Sequence, residues 1–354
     1  MSIEHVKNMK AIQIHKRGGP EVLIYEDAPR PLLGSDEVLI RIHAAGVNPA
    51  DWRGRSGFID IPEALRPKLT LPLIPGSDVS GIVEVVGTEA TSFKVGDAVY
   101  GMIRFPPFTA KGGGRAYAEY TTAPTTDIAL KPATFDHIQA AAVPMAALTA
   151  WQLLYLDLEP NQTVLINGAA GGVGHFAVQM AKLKGARVIG VASGRHADFL
   201  YDLGIDEFID YTASPVEETV HNVDVVFDCV GGEEGDRLID VLKPGGRLIP
   251  INIGHYSSEH AASKSVILGT KHHQPLRSNG AQLSEIGHLI DSNSIRVAID
   301  SVFPLADASK AHVRGEAGHI QGKIVLQVTP MTPKMNPRRF FSLVTPMTLC
   351  SFWI

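Results

Sequence analysis

In Ile166-Asn167-Gly168-Ala169-Ala170-Gly171-Gly172-Val173-Gly174-His175-Phe176-Ala177 an apolar run stops at small residues and resumes with helical texture. Thr163 to Ile166 have strand chemistry, and Phe176 to Leu183 open a helix. The small residues between them let the backbone approach a pyrophosphate, whose charge the helix N-terminal amides and dipole favour. Two registers fit, Ala169-x-Gly171-x-x-Gly174 and Gly172-x-Gly174-x-x-Ala177, and neither is the full three-glycine pattern. Context strengthens the reading, because a second strand, Arg187 to Val191, ends where a dinucleotide's ribose belongs. The sequence therefore predicts a dinucleotide turn built by Ala170, Gly171, Gly172, Val173 and Gly174.

The end of that second strand selects the dinucleotide. An NAD site wants a carboxylate there for the ribose 2′-hydroxyl, but the chain offers Ala192-Ser193-Gly194-Arg195-His196 and no acid before Asp198. The 2′-phosphate of NADP(H) fits better: Ser193 can hydrogen-bond it, and Arg195 can pair with it or stack on adenine. The competing reading is a solvated loop that happens to carry one arginine.

Composition sets the outer frame. With 354 residues, 45% of them hydrophobic, the chain buries a large core and divides more naturally into two domains than one. A net charge of −5, from 32 basic and 37 acidic residues, argues against nucleic acid or an anionic membrane as partner. Two cysteines, Cys229 and Cys350, build no disulfide framework, which points to a reducing compartment. Met1 to Lys10 lacks the apolar core of a secretory signal, and no apolar run has the length of a bilayer span. A cytoplasmic location is the expectation.

From Lys10 to Tyr120 the texture is short β-branched runs, at Lys10 to His15, Glu37 to Ala44, Gly81 to Val86, Ala98 to Tyr100 and Ala116 to Thr121, divided by Gly- and Pro-rich turns. From His137 it changes to alternating helix and strand: an Ala-rich helix to Trp151, then strands at Thr163, Arg187, Glu207, Asp224 to Asp228 and Arg247 to Ile251. That is βαβ texture and implies a doubly wound parallel sheet. After Gly280 come a helix, a strand from Arg296 to Phe303, a helix from Leu305 and a last strand from Lys323 to Val328, expected to rejoin the first lobe. The expected divisions are 1–131, 132–277, 278–329 and a tail at 330–354 read as disordered.

Six ordered blocks now support a family. They are Ala44-Ala45-Gly46-Val47-Asn48-Pro49-Ala50-Asp51-Trp52, Pro75-Gly76-Ser77-Asp78-Val79-Ser80-Gly81, Val95-Gly96-Asp97-Ala98-Val99-Tyr100-Gly101, Gly114-Arg115-Ala116-Tyr117-Ala118-Glu119-Tyr120, Val143-Pro144-Met145-Ala146-Ala147-Leu148-Thr149-Ala150, and Gly322-Lys323-Ile324-Val325-Leu326. With the glycine turn, they make the chain resemble the zinc-free branch of the medium-chain dehydrogenase/reductase superfamily, the quinone oxidoreductase and alkenal or enoyl reductase group, over residues 9 to 328. The resemblance implies an α/β protein: a GroES-like β-rich catalytic domain plus a Rossmann domain, with the active site in the cleft between them. It implies a homodimer that passes hydride from NADPH to a quinone or to the C=C bond of an α,β-unsaturated carbonyl.

By the same resemblance, Asn48 is the cleft asparagine near the nicotinamide ribose and Thr149 contacts the nicotinamide end. Ser193, Arg195 and Tyr211 match the adenosine 2′-phosphate pocket, while Cys229, Val230, Ile253 and Lys323 fall where the cofactor is lined. Each has a plainer reading: Asn48-Pro49 as a turn, Tyr211 as a packed aromatic, Cys229 as a small buried hydrophobe.

Zinc relatives place a cysteine after Ala45-Gly46, a His-Glu pair in the block that here reads Gly76-Ser77-Asp78, and a four-cysteine lobe; this chain has none of these. Asn48, Asp51, Ser77 and Asp78 supply hard oxygen atoms at best, and His272-His273 has no matching cysteine, so no metal is expected. Without a Lewis acid, ordinary alcohol dehydrogenation is not expected either, and hydride transfer to a conjugated acceptor remains. Several relatives carry a tyrosine where this chain has Trp52, with Phe58 further on, so solvent is the first proton source and Tyr117 or Tyr155 the alternatives. Phe108 to Gly114 reads as a mobile cleft rim. The main competing function is an NADPH-binding structural or regulatory protein with little turnover.

Overall fold

The computed structural model describes residues 8–61, 63–67, 70–105, 115–272 and 275–329. The expected rim at Phe108 to Gly114, His273 and the tail from Pro330 lie outside the described residues. The chain opens with the antiparallel pair β1 (Asn8–Ile14) and β2 (Leu23–Pro29). Then come β3 (Glu37–Val47), α1 (Pro49–Ser56), β4 (Asp78–Val86), β5 (Ala98–Met102), β6 (Tyr120–Pro124), β7 (Ile128–Leu130), α2 (His137–Ala141) and α3 (Pro144–Ala150). The parallel half follows as β8 (Thr163–Asn167), α4 (Gly174–Leu183), β9 (Arg187–Ala192), α5 (Ala197–Asp202), β10 (Glu207–Asp210), α6 (Val216–Thr219), β11 (Val223–Asp228), β12 (Leu242–Pro250), α7 (Ser258–Ser263) and β13 (Ile267–Leu268). The chain returns through α8 (Gly280–Asp291), β14 (Ile299–Pro304), α9 (Ala308–Glu316) and β15 (Lys323–Gln327).

The parallel sheet has the order β10-β9-β8-β11-β12-β13. Its strand order reverses at β8, between β9 and β11, which is where doubly wound sheets bind ligands beyond the strand ends. Both faces of β8 are buried: Val164 and Ile166 join one apolar cluster, and Leu165 joins the cluster on the other side. A period of two with helices on both faces explains why the strand reads as an unbroken apolar run. The second sheet runs β14-β15-β3-β4-β5-β7, with β6 also on β3. Antiparallel pairing of β15 with β3 sets Ile324 opposite Val47 and brings the last described strand to the start of α1. The larger apolar cluster runs from Tyr100 and Met102 of β5 through α3 into the parallel half, so the two lobes share a core there.

Several elements differ from the sequence reading, among them β7, which it did not contain. The Ala-rich helix is two helices and a π-helical turn, Trp151–Tyr155, because Pro144 has no N–H to give to Ala140 and restarts the helix at its first position. Asn48-Pro49 opens α1 through a reciprocal cap with Asp51 rather than a simple turn. The strand expected from Arg296 begins at Ile299, since the Gln179 side chain takes both the N–H (2.8 Å) and the C=O (2.9 Å) of Arg296. β2 was not anticipated.

Candidate functional site

The glycine turn leaves β8 at Gly168, whose φ of +75° lies in the left-handed region. Gly168 N and Ala169 N both donate to Val191 O, at 3.1 and 3.0 Å, tying the turn to β9. A Cβ at Gly174 would lie 2.2 Å from Gly168 O, so that position admits no side chain without moving backbone. The amides of Gly172, Val173 and Gly174 have no acceptor among the described residues, while His175 N and Phe176 N are bonded to Gly171 O and Val173 O. Gly171 to Val173 are half-buried. Idle donors at a helix start, partly shielded from water, suit a bound phosphate. His175 pins this turn from below: Nδ1 donates to Gly171 O (2.9 Å) and Nε2 accepts from Ala298 N (3.3 Å). Burial pushes its pKa down to about 4, so it is neutral.

At the far end of β9, Arg195 Nη2 donates to His319 O at 2.7 Å. Tyr211 Oη meets His319 Nδ1 at 3.3 Å. Ser193 is half-buried, and its hydroxyl has no partner among the described residues. The acid nearest this loop, Asp210, accepts from Thr212 N (2.9 Å) and Thr212 Oγ1 (2.6 Å), which hold its carboxyl below the usual range. Arg195 and Tyr211 are thus brought to one point by His319, a residue with no local sequence signal.

The opposite wall is the loop after β11. Asp228, fully buried, accepts from Asn167 Nδ2 (2.8 Å), Val230 N (2.9 Å), Gly231 N (3.2 Å) and Tyr256 Oη (2.7 Å), fixing the loop. Val230 and Ile253 are left 52% and 42% exposed, which is unusual for branched aliphatics and fits a surface that a flat ring covers. Burial and the Asp228 charge push the Cys229 thiol well up, which excludes a resting thiolate. Arg53 of α1 donates to Asn252 Oδ1, and Asn252 Nδ2 donates to Val230 O (2.9 Å), so α1 is linked to this loop.

Asn48, 2% exposed, sits in a buried polar knot. Its Nδ2 donates to Asp78 Oδ2 (3.0 Å), its backbone N–H to Asp51 Oδ2 (2.8 Å), and its Oδ1 accepts from Lys323 Nζ. Lys323 Nζ also donates to Val47 O at 2.9 Å. The lysine stem lies against the phosphate turn, since a Cβ on Gly172 would be 3.0 Å from Lys323 Cδ. Asp78 Oδ1 accepts from Met145 N (3.0 Å), and Thr149 Oγ1 donates to Met145 O (2.7 Å), so Thr149 joins the knot through one backbone unit. Burial raises the pKa of Asp51 to about 7 and of Asp78 to about 6, against the pull of their hydrogen bonds and of Lys323; burial lowers that of Lys323. Among the described residues, the second Nδ2 hydrogen of Asn48 and the third Nζ hydrogen of Lys323 have no acceptor.

The knot extends outward to α9. Arg55 Nη1 donates to His312 Nδ1 (3.0 Å), and Nη2 pairs with Glu316 Oε1 (2.7 Å). Arginine only donates, so His312 carries its hydrogen on Nε2 and gives it to Tyr117 Oη (3.2 Å), which donates in turn to Asp51 (3.0 Å). Tyr117 is fully buried inside this chain with its hydroxyl hydrogen given to Asp51, while the Tyr155 ring stacks on Trp151 with centroids 4.2 Å apart. Trp52 lies edge-on to His312 and against Gly315, facing α9. No group of three or more His, Cys, Asp or Glu among the described residues could hold a metal ion.

Comparison with known proteins agrees with this fold. The models for the alcohol dehydrogenase GroES-like domain and for zinc-binding dehydrogenase match residues 34–133 and 203–326. The chain is 32% identical to the mitochondrial NAD(P)H oxidoreductase RTN4IP1 of Danio rerio, covering 90% of this chain and 91% of that one. It is 31% identical to the chloroplastic NADPH-dependent alkenal/one oxidoreductase of Arabidopsis thaliana, covering 92% of this chain and 81% of that one. The solved quinone oxidoreductase of Coxiella burnetii superposes with a TM-score of 0.80 at 34% identity, over 91% of this chain and 100% of the other. The fold is that of a medium-chain dehydrogenase/reductase, and within that superfamily the chain belongs to the zinc-free quinone oxidoreductase group.

These relatives overturn the expectation of a cytoplasmic protein, because two of them are named for the mitochondrion and the chloroplast. The expectation rested on a missing secretory core, which speaks to one export route and not to organelle import, whose signals are amphipathic. Among the described residues no helix is long and apolar enough to cross a membrane.

Proposed function

We infer that the chain is an NADPH-dependent oxidoreductase that reduces a quinone or the C=C bond of an α,β-unsaturated carbonyl, without zinc. The observation that carries the reading is the set of idle amides at Gly172, Val173 and Gly174, at the switch point of the parallel sheet. Those amides, with Ala170 and Gly171 shaping the turn, hold the pyrophosphate. Ser193, Arg195 and Tyr211 take the adenosine 2′-phosphate, and Cys229, Val230 and Ile253 line the groove toward the other ring. When bound, the dinucleotide supplies the hydride.

The chain's own contribution is position and polarity. Lys323 and Asp78 hold the Asn48 amide from both sides, leaving one Nδ2 hydrogen to orient the cofactor ribose or steady the oxygen on which charge develops. Lys323 acts mainly on Asn48, with its stem against the turn, and Thr149 supports the same knot through Met145. With the Tyr117 hydroxyl committed to Asp51, solvent supplies the proton. The short edge strand β13, with Ile267 half exposed, is the proposed seam of a homodimer.

An NADPH-oxidation screen over quinones, enals and enones, run beside an NADP⁺-reduction assay with saturated alcohols, tests the reading. Turnover of conjugated acceptors with inert alcohols, unaffected by a chelator, supports it. Oxidation of a simple alcohol at a comparable rate would overturn it, and binding of NADPH with no acceptor turned over would favour the structural or regulatory alternative.

A further inference from the structure

We propose that His319 is a ligand of the cofactor's 2′-phosphate and sets the preference for NADPH over NADH jointly with Arg195. The inference rests on the pocket assigned above to Ser193, Arg195 and Tyr211. Two separate contacts place His319 there: its carbonyl fixes the Arg195 guanidinium at 2.7 Å, and its ring nitrogen reaches Tyr211 Oη at 3.3 Å. These partners lie after β9 and after β10, while His319 comes from the loop before β15, so three distant segments converge. The backbone holds His319 at a φ of +50°, in the left-handed region that a bulky side chain rarely adopts. The ring is exposed, and its Nε2 is uncommitted among the described residues.

The surrounding charges favour an anion. From the loop after β9, Arg195 holds the His319 carbonyl and has no ion-pair partner among the described residues, and its Nε donates to His196 Nε2 at 3.1 Å, while His196 Nδ1 meets Gln321 Oε1 at 3.0 Å. Tyr211 comes from the end of β10, where Asp210 is spent on Thr212. On the ring's own side, Asp300 is matched by Arg314 at 2.6 Å, and Arg314 also holds Gly318 O at 2.9 Å. The local balance is cationic, so a phosphate there gains a hydrogen bond from the uncommitted ring nitrogen. Imidazole is the side chain that changes charge between about pH 5 and 8, and a protonated ring adds a charge-assisted hydrogen bond to phosphate.

The test is calorimetric binding of NADP⁺, NAD⁺ and 2′,5′-ADP at pH 6.0 and 8.5 to the full chain and to His319→Asn, His319→Gly and Arg195→Ala. Asparagine and glycine both tolerate the left-handed backbone, and both keep the carbonyl that holds Arg195. We expect either His319 variant to lose about tenfold in affinity for NADP⁺ and 2′,5′-ADP at pH 6.0 and less than about twofold at pH 8.5, with NAD⁺ unchanged. An equal loss for NAD⁺, or a loss independent of pH, would make His319 a loop support and overturn the proposal. If Arg195→Ala loses the NADP⁺ preference while both His319 variants keep it, this inference fails and the pocket stands. If neither substitution alters the preference, the pocket itself is misassigned.

Discussion

The phosphate turn and the knot around Asn48 are neighbours, touching through the Lys323 stem, yet they are built in opposite ways. The turn keeps its donors idle: the successive amides of Gly172, Val173 and Gly174 have no acceptor among the described residues, and the first two residues are half-buried while Gly174 is buried. The knot spends nearly all of its donors internally and is shut off from water, with Asn48, Asp51, Asp78, Tyr117 and Lys323 each at most 6% exposed. A surface that must capture an anion has to hold hydrogen-bonding capacity in reserve. A surface that must aim one amide at a reacting centre has to remove that freedom, and buried, satisfied polar groups do so at a cost in desolvation. In the proposed function the two regions divide binding from positioning, and each predicts a different failure when altered.

The largest expected effect is on stability. Lys323 is the cation beside two buried carboxylates, so Lys323→Met strands Asp78 and Asp51 and should cost about 3–5 kcal/mol in urea unfolding. Adding Asp78→Asn should recover part of that loss; a neutral Lys323→Met would mean the knot is not held by charge. The turn should fail differently. Gly174→Ala places a methyl 2.2 Å from Gly168 O and should weaken NADPH binding on the order of 100-fold by fluorescence titration, with less effect on unfolding. Unchanged affinity there would remove the turn from the binding surface.

Smaller effects sharpen the contrast. Wild-type protein should bind NADPH at least about tenfold tighter than NADH, and Arg195→Ala should erase most of that preference, read from the two dissociation constants. The smallest effect is pH dependence inside the knot. Asp51 titrates in the fold near 7, above its unfolded value, so the native state holds the extra proton and loses stability as pH rises from about 4 to 7. Asp51→Asn, which cannot ionise, should gain relative to wild type by on the order of 1 kcal/mol between pH 5 and pH 8. A difference that stays flat or reverses across that range would show that Asp51 is ionised throughout.

The same contrast marks what was legible in the chain. The turn is read locally, because Gly168 to Gly174 must be small to make it and the apolar runs on either side announce strand and helix. Family blocks brought Asn48 and Lys323 into view, but not their partnership, which depends on β15 pairing with β3 across 275 positions in sequence. The Asn48…Asp51 spacing was a helix-cap signal that the adjacent proline disguised as a turn. His175, His312 and His319 carry no local signature at all. Each matters through contacts more than a hundred positions away, in the last two cases on or beside the segment that returns to the first lobe.

The division between binding and positioning is tested most directly by Asn48→Ala, with NADPH affinity and turnover of a conjugated acceptor measured on the same preparation. Removing one donor to a developing oxyanion typically costs about 2.7–4 kcal/mol, a hundredfold or more in turnover. With the proposed pyrophosphate and 2′-phosphate contacts elsewhere, turnover should fall by that much while NADPH affinity changes by less than about threefold. Unchanged turnover, or affinity and turnover falling in parallel, would contradict it and return Asn48 to the role of a helix cap.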